Sequence, residues 1–414
     1  MEAVTDNTAF AKEQTKPGYK KTKLGWIPEE WKMLPIKNLT TKIGDGLHST
    51  PRYSENTEYY FINGNNLVEN KILITENTKC VDEEEYLKHK KNLDNSTLFL
   101  SINGTIGNIA FYNNEKVVLG KSAAYLNIDS TNSKEYLAYQ LQTHTINNLF
   151  KRVSTGSTIK NLGLKEIQKI ELPIPPLPEQ QKIASILSTW DKAIAAQEQL
   201  IAQKQELKKG LMQELLTGKK RFDGFTEEWE EVKLSEVSDF KNGKGHEQFI
   251  DADGQYVVVN SKFISTEGKV RKYTQKQASP LSKDDIVMVM SDVPNGKALA
   301  KCYLIEDDNK YSLNQRICSL TAKNINTKFL YYQLNRNKFY LKFNDGLSQT
   351  NLKKKEVLGC PILVPSLKEQ VKIVETIEAS SNSLDLLIDS LRKIKKQKQG
   401  LMQQLLTGEK RVKI

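Results

Sequence analysis

Apolar residues recur at three- and four-residue spacing along two stretches of the chain, the pattern of a helix that packs through one stripe. The stripe runs for about five heptads in each stretch, which predicts two long coiled-coil-like helices that pack against each other. The predicted seam positions are Ile183, Leu187, Trp190, Ile194, Ile201, Leu211 and Leu215 in the first stretch, and Ile373, Ile377, Leu384, Leu387, Leu391, Ile394, Leu401 and Leu405 in the second.

Each stretch has clear end signals. A proline-rich breaker precedes it, PIPPLPEQ from Pro173 and PILVPSLKEQ from Pro361, and Thr-Gly closes it at Gly218 and Gly408. Proline stops the preceding strand and glycine supplies a helix C-cap, so the helices are expected over about 178–217 and 368–407. Each is then roughly 60 Å long at 1.5 Å per residue.

The remaining sequence alternates short apolar runs with turn residues, as in TLFLSINGTIGNIAFY and QYVVVNS. This pattern predicts strands in largely antiparallel sheets. One helix is expected after the strands of each part, at SKEYLAYQLQTHTINNLF and NTKFLYYQLNRNKFYLKF.

The chain also repeats itself. GLMQELLTGKKR from Gly210 returns as GLMQQLLTGEKR from Gly400, and the same offset of 190 carries Glu179 onto Glu369 and Gly156 onto Gly346. Further upstream the likeness is looser and includes Trp31 with Trp229 and Asn63 with Asn260. The repeat indicates a tandem duplication with near-identical tails.

The predicted fold is therefore α+β, with two globular domains separated by two long antiparallel coiled-coil helices in pseudo-two-fold symmetry. The predicted segments are a flexible leader 1–16, a first domain 17–172, a first long helix 173–220, a second domain 221–359 and a second long helix 360–414.

Composition narrows the class of protein. The net charge of +11 suits a polyanionic partner, because lysine and arginine gain affinity for DNA by releasing counterions. No run approaches the roughly 20 apolar residues of a membrane span, and the amino terminus lacks the apolar stretch of a secretory signal. A cytoplasmic protein is expected.

Polar, basic and small residues concentrate in predicted loops, where they are able to pair with base edges or phosphates, or are simply solvated. Most of them lie in TKIGDGLHSTPRY of the first domain, in FKNGKGHEQF of the second, and in the glycine loops before each proline breaker, which also suit a structural junction. The candidate DNA contacts are Lys42, His48, Ser49, Thr50, Arg52, Tyr53, Asn63, Asn65, Asn103, Thr105, Lys121, Lys151, Arg152, Ser154, Ser157, Thr158, Lys160, Lys241, Lys244, His246, Asn260, Lys262, Asn295, Lys297, Asn314, Gln315, Arg316, Gln349, Lys353 and Lys354.

Motifs for catalysis are missing from the sequence. There is no GxxxxGK[ST] phosphate loop, no Asn/Asp-Pro-Pro-Tyr/Phe stretch and no histidine at metal or triad spacing. The four cysteines lack metal-site or disulfide spacing, so buried free thiols are expected and neither a catalytic residue nor a metal site is predicted.

The duplicated LMQxLLTGxKR signature, with GYKKTKLGWIPEEW, DGLHSTP and PIPPLPEQQKIASIL, closely resembles the specificity subunits of type I restriction-modification enzymes. The resemblance covers nearly the whole chain. It implies two target-recognition domains that each read one half of a split DNA site, while the paired helices set the spacer and dock the methyltransferase subunits. Half-sites one helical turn apart lie about 34 Å from each other, a distance that such helices can bridge.

The resemblance also implies the partners: double-stranded DNA, two modification subunits that bind S-adenosylmethionine, and two ATP-driven restriction subunits in the full complex. The chain itself then needs no cofactor and directs adenine methylation or restriction carried out by the others. The basic run from Arg392 to Arg411 is either a surface that the modification subunits cover or a solvated helix face. The second copy lacks the DGLHSTP loop, so loop contacts are not transferred from one domain to the other.

Two other classes of protein stay open at this point. One is a stand-alone, pseudo-dimeric DNA-binding regulator, and the other is a restriction-enzyme fragment with hidden nuclease chemistry, which the absent motifs disfavour.

Overall fold

The computed structural model describes residues 16–294 and 296–414, and contacts divide the chain into two units. Unit 1 comprises residues 1–198 with 390–414, and unit 2 comprises residues 199–389. All but the last residue of the predicted leader, 1–16, lies outside the described residues.

Unit 1 begins with short strands and helices. Its strands are β1 (Tyr19–Thr22), β2 (Gly25–Pro28), β3 (Lys32–Pro35), β4 (Thr40–Asp45), β5 (Tyr53–Ser54), β6 (Tyr59–Ile62), β7 (Leu67–Val68), β8 (Lys71–Ile72), β9 (Cys80–Val81), β10 (Thr97–Ser101), β11 (Ile109–Phe111), β12 (Val117–Leu119), β13 (Ala123–Ile128) and β14 (Glu171–Ile174). Its helices are α1 (Glu83–His89), α2 (Lys134–Leu141), α3 (His144–Val153) and α4 (Leu164–Lys169), followed by the long helix α5 (Leu177–Leu216), which continues into unit 2.

Unit 2 is also built of short strands and short helices followed by a long helix, with fewer strands. Its strands are β15 (Glu230–Lys233), β16 (Ser238–Asn242), β17 (Tyr256–Val259), β18 (Tyr273–Thr274), β19 (Ile286–Val289), β20 (Ser291–Asp292), β21 (Cys302–Leu304), β22 (Tyr311–Leu313), β23 (Ile317–Ala322), β24 (Thr350–Asn351) and β25 (Pro361–Val364). Its helices are α6 (Leu234–Val237), α7 (Ser261–Ser265), α8 (Thr327–Leu334), α9 (Lys338–Leu341) and α10 (Lys354–Leu358), and the long helix α11 (Leu367–Leu406) ends in unit 1.

Sheet order confirms the internal repeat. The main sheet of unit 1 runs β11-β10-β13-β4, and that of unit 2 runs β21-β19-β23-β16 in corresponding positions. A second sheet places β12-β6-β9 in unit 1 and β22-β17-β18 in unit 2. Pairing between the named strands is antiparallel except for β6 with β12 and β17 with β22, so the predicted mainly antiparallel α+β fold is confirmed.

The two long helices run antiparallel within each unit. In unit 1 the start of α5, at Ile183 and Leu187, shares a core with Leu405 near the end of α11. In unit 2 the end of α5, at Leu215, shares a core with Ile373 at the start of α11. All fifteen predicted seam positions are buried or half-buried, and both helices begin and end within one residue of the expected limits.

Glycines end both long helices as the sequence indicates. Gly218 has φ +69° and Gly408 has φ +70°, the left-handed conformation that closes a helix at low cost only for glycine. A side chain at Gly408 would also meet Pro28, whose Cδ lies 2.4 Å from the Cβ position.

The prediction of one helix after the strands of each domain is wrong. The structure has two helices there, because Thr143 takes an extended backbone conformation and caps α3 through the Ile146 N–H. Asn337 interrupts the second copy in the same way and caps α9 through the Phe339 N–H, at 2.8 Å. Both residues favour a cap over a helix interior, since their short polar side chains compete for the backbone.

Candidate nucleic-acid interface

Four loops of unit 1 lie side by side and form its loop cluster: residues 46–50, 102–106, 119–122 and 154–162. Backbone hydrogen bonds tie each loop to a neighbour, with Leu47 N–H donating to Leu119 O at 2.6 Å and Ile102 N–H to Ser122 O at 2.9 Å. Leu162 N–H donates to Ile102 O at 2.8 Å, which brings the glycine loop before the first proline breaker into the same cluster.

Unit 2 builds the same arrangement from residues 243–246, 290–294, 313–316 and 344–352, its own loop cluster. Lys244 N–H donates to Leu313 O at 3.0 Å, and Leu352 N–H to Met290 O at 2.8 Å. Because these bonds match those of Leu47 and Leu162, the FKNGKGH loop stands where DGLHSTP stands in unit 1. Loop positions are therefore equivalent although the loop sequences differ.

Glycine permits the close approach of the first loop in both clusters. A Cβ at Gly46 would lie 2.2 Å from Leu119 O, and one at Gly243 would lie 1.9 Å from Asn314 O. Any larger residue would push this loop off its neighbour.

Most candidate DNA contacts of unit 1 are exposed. The exposed ones are Lys42, His48, Ser49, Thr50, Asn65, Thr105, Lys121, Lys151, Arg152, Ser157, Thr158 and Lys160, together with Tyr53, which is 38% exposed. Of these, His48 and Lys121 share with half-buried Asn103 the lining of a cavity of about 180 Å³. The His48 ring is fixed by a 2.8 Å hydrogen bond between its Nε2 and Asp45 Oδ2.

Three further candidates in unit 1 have structural partners. Arg52 Nη2 pairs with Asp82 at 2.7 Å and Glu84 at 3.1 Å, so the acidic start of α1 compensates its charge. Asn63 accepts from the Ser122 hydroxyl at 2.8 Å and caps a short 3-10 turn, and the Ser154 hydroxyl donates back to Phe150 O at 2.6 Å. These roles hold the loops in shape.

Unit 2 likewise exposes most of its candidates. The exposed ones are Lys241, Lys244, Lys262, Lys297, Gln315, Arg316, Gln349, Lys353 and Lys354, and Asn314 is half-buried. Gln349 Nε2 donates to Ser291 Oγ at 2.8 Å, across two loops of the cluster. Asn295 lies outside the described residues.

Two candidates in unit 2 have structural partners. His246 is 1% exposed, with Nδ1 2.7 Å from Lys244 O and Nε2 2.7 Å from Ser312 Oγ. The buried ring therefore links its own loop to β22. Asn260 Oδ1 accepts from the Phe263 N–H at 2.9 Å and caps α7. His246 was counted as a loop residue because burial by a neighbouring strand leaves no local signal.

Each unit also contains a buried ion-pair node, which was not anticipated from the sequence. In unit 2, Arg221 donates to Glu369 from Nε at 3.0 Å and from Nη2 at 2.7 Å, and Trp229 Nε1 donates to Glu369 at 3.2 Å. The Glu369 side chain is 1% exposed. Arg221 lies at the end of the repeated tail of the first copy, and Glu369 lies at the start of the repeated tail of the second copy.

Unit 1 repeats the node with Trp31, Glu179 and Arg411. Arg411 donates to Glu179 at 2.6 and 2.9 Å, and Trp31 Nε1 donates to it at 3.2 Å. The signal that identifies the node is the recurrence of the same three residue types in both copies.

The adjoining glutamine fixes the helix beside each node. Gln180 Oε1 accepts from the Ser133 N–H at 2.9 Å, and Gln370 Oε1 accepts from the Asn326 N–H at 2.7 Å. Ser133 and Asn326 are the N-caps of α2 and α8. The glutamine of the repeated Glu-Gln pair therefore joins the start of each long helix to the start of the helix in its domain.

The part of the chain that the structure describes has three further features, which concern metal ligands, membrane-spanning helices and cysteines. Among these residues no group of three or more His, Cys, Asp and Glu is placed to hold a metal ion. No helix among them is long and apolar enough to cross a bilayer. Cys302, Cys318 and Cys360 lie in one core as free thiols, and burial raises the pKa of Cys318 to about 12 and that of Cys360 to about 11.

A family model and the related proteins found by comparison point to the same protein family. A family model described as the type I restriction modification DNA specificity domain matches residues 28–206 and again residues 226–396. The putative type I restriction enzyme MjaX specificity subunit of Methanocaldococcus jannaschii is 24% identical over 98% of both chains. The MjaVIII specificity subunit of the same organism is 28% identical over 67% of this chain and 70% of its own.

Solved structures share the fold. The S subunit of a type I restriction-modification system from M. genitalium superposes with a TM-score of 0.53 at 19% identity, covering 91% of this chain and 96% of that one. A chain from a structure on complex assembly and conformational transition of the type I R-M system gives a TM-score of 0.62 at 14% identity, covering 93% and 99%.

Proposed function

The chain belongs to the type I restriction-modification DNA specificity family, and from that membership we propose that it is the DNA-reading subunit of such a complex. Each loop cluster then reads one half of a split site. The two long helices set the spacer between the halves and dock the methyltransferase subunits.

The observation that carries this proposal is the recurrence of one loop arrangement with different side chains. The backbone bonds that assemble the clusters are the same in both units, whereas the exposed residues differ, with Ser49 and Lys121 in one and Lys244 and Arg316 in the other. Side chains of these types form hydrogen bonds with base edges and phosphates. Two loop clusters with the same backbone arrangement and different exposed side chains are suited to bind half-sites of different sequence.

The partners follow from the family as part of the same proposal. We infer a complex with two modification subunits and, in the full enzyme, two ATP-driven restriction subunits, working in the cytoplasm. S-adenosylmethionine, ATP and Mg²⁺ are bound by those partners, and this chain supplies recognition without catalysis.

The decisive experiment co-expresses the chain with its modification subunit in a host that lacks other methyltransferases, followed by mapping of methylated adenines. A split methylated motif with a fixed spacer is expected. Specific binding of DNA without any methylation in the presence of the modification subunit would instead support a stand-alone regulator. Adenine methylation by the chain without that partner would overturn the assignment of a non-catalytic role.

A further inference from the structure

Large apolar side chains stand out from both loop clusters among basic and polar residues; in unit 2 they include Val293, which is 62% exposed. Leu347 and Ile159 are the most exposed apolar residues of their clusters. Leu347 is 88% exposed in unit 2, and Ile159 is 65% exposed in unit 1. A leucine or isoleucine at such a tip keeps apolar surface in water, and a partner that covers the tip would remove that surface from water.

The loop that carries Leu347 is held by its own hydrogen bonds. Asp345 Oδ1 accepts from the N–H groups of Leu347 at 2.9 Å and Ser348 at 3.0 Å, and Asp345 Oδ2 accepts from the Ser348 hydroxyl at 3.0 Å. These bonds lower the pKa of Asp345, because they stabilise its charged form. The loop is therefore preorganised, and its carboxylate is occupied by the loop itself.

The loop that carries Ile159 is a tight hairpin. Thr155 and Asn161 exchange two backbone hydrogen bonds at 2.9 and 2.8 Å, and Gly156, with φ +96°, lets the chain turn between them. A Cβ at Gly156 would lie 2.3 Å from Ile159 O, so the glycine is needed to bring Ile159 to the tip.

Both tips belong to the loop clusters and lie in basic surroundings. Gly104 N–H donates to Lys160 O at 3.3 Å next to Ile159, and Gln349 bonds Ser291 two residues after Leu347. Exposed Lys151, Arg152 and Lys160 accompany Ile159 in sequence, and exposed Lys342 and Lys353 accompany Leu347. A polyanion is the partner whose charge complements this setting.

We propose that Ile159 and Leu347 are apolar base-contacting tips, which pack against the apolar surface of bases within the half-site that each unit reads. The proposal rests on the proposed function and deepens it. Two base surfaces fit an aliphatic tip: the thymine methyl group in the major groove and the face of a base pair that a wedge unstacks. Either contact adds affinity that does not depend on phosphate charge.

The test measures binding of the full chain to a duplex that carries the mapped split motif, across a series of salt concentrations. Leu347→Ser and Ile159→Ser are each expected to weaken binding about tenfold while the slope of log affinity against log salt stays unchanged. The control is Leu386→Ser, which removes an equally apolar residue that is 71% exposed on α11. It is expected to bind like the wild type.

Two arms separate the possible base surfaces. Replacement of half-site thymines by deoxyuridine weakens binding of the wild type but not of the serine variant if the tip contacts a methyl group. Fluorescence of 2-aminopurine rises on binding of the wild type only if the tip unstacks a base step. A response in neither arm would overturn the base contact.

Failure of this inference is distinct from failure of the proposed function. If methylation mapping returns no split motif, the proposed function fails. If the wild type binds the motif and both serine variants bind as tightly as Leu386→Ser, only the apolar tips are overturned. Loss of assembly with the modification subunit at unchanged DNA affinity would likewise overturn them, since it would assign the tips to a protein contact.

Discussion

At the scale of single residues, the repeated tail motifs encode a pair of buried nodes. The glutamate of each node is almost fully enclosed, and an arginine and a tryptophan satisfy it in both units. An enclosed carboxylate without such partners would be costly to fold. The recurrence of this glutamate and this arginine in both tails is thus explained by the chemistry of the nodes.

Glu369→Gln tests the energetic role of the node. The substitution leaves Arg221 facing a neutral amide, and the free energy of unfolding should fall by about 2 kcal/mol, below the roughly 3–5 kcal/mol of a fully buried pair because the Arg221 side chain is 25% exposed. The measurement is the urea midpoint followed by tryptophan fluorescence.

The matched control is Glu378→Gln, which removes a surface ion pair with Lys328 at 2.5 Å. Its side chains are 37% and 48% exposed, so a loss under about 1 kcal/mol is expected. Equal losses in the two variants would show that the node contributes no more than a surface pair.

Thiol labelling tests the described core of unit 2. Because the thiolate is the reactive form, thiols whose pKa is raised by burial should resist iodoacetamide at pH 8. Half-buried Cys80 should therefore be alkylated first in the folded chain, and Cys302, Cys318 and Cys360 only after denaturation, as read by peptide mass spectrometry. Modification of the core thiols ahead of Cys80 would contradict this packing.

At the scale of elements, periodicity predicted the long helices well, because a stripe of apolar residues repeats many times over forty positions. The short elements were harder to predict. The break between α2 and α3 depends on one capping threonine, and the burial of His246 depends on a strand 66 residues further along. A contact between residues so far apart in the chain produces no periodic pattern of apolar residues in the sequence.

Two glycines in one tail motif offer a matched test of helix energetics. Gly400 lies inside α11 with open space around its Cβ position, so Gly400→Ala should raise the free energy of unfolding by about 0.5–1 kcal/mol. Gly408→Ala should lower it by at least about 1 kcal/mol, because φ is +70° and Pro28 occupies the space. Urea unfolding of both variants measures the contrast, and a loss in Gly400→Ala would reveal a packing role for that glycine.

At the scale of the whole molecule, the sequence predicted the duplication and the class of fold, but it did not predict which loops correspond. DGLHSTP and FKNGKGH share almost no residues, and the order of strands in the two main sheets together with the hydrogen bonds of Leu47 and Lys244 places them at equivalent positions. Likewise the candidate contacts could be assigned to loops from composition, whereas the structural duties of Arg52, Asn63 and Asn260 emerged only from their partners.

The division of the chain into units has a consequence for synthesis on the ribosome. Unit 2 is one continuous segment, whereas unit 1 needs residues 390–414, which are translated after the whole of unit 2. At roughly 5–20 residues per second, the early part of unit 1 waits on the order of 10–40 s for Arg411 to reach Glu179. During that interval the core residues of unit 1 that pack with the end of α11, Ile183 and Leu187 among them, lack the apolar cover that Leu405 and Leu406 provide in the folded chain.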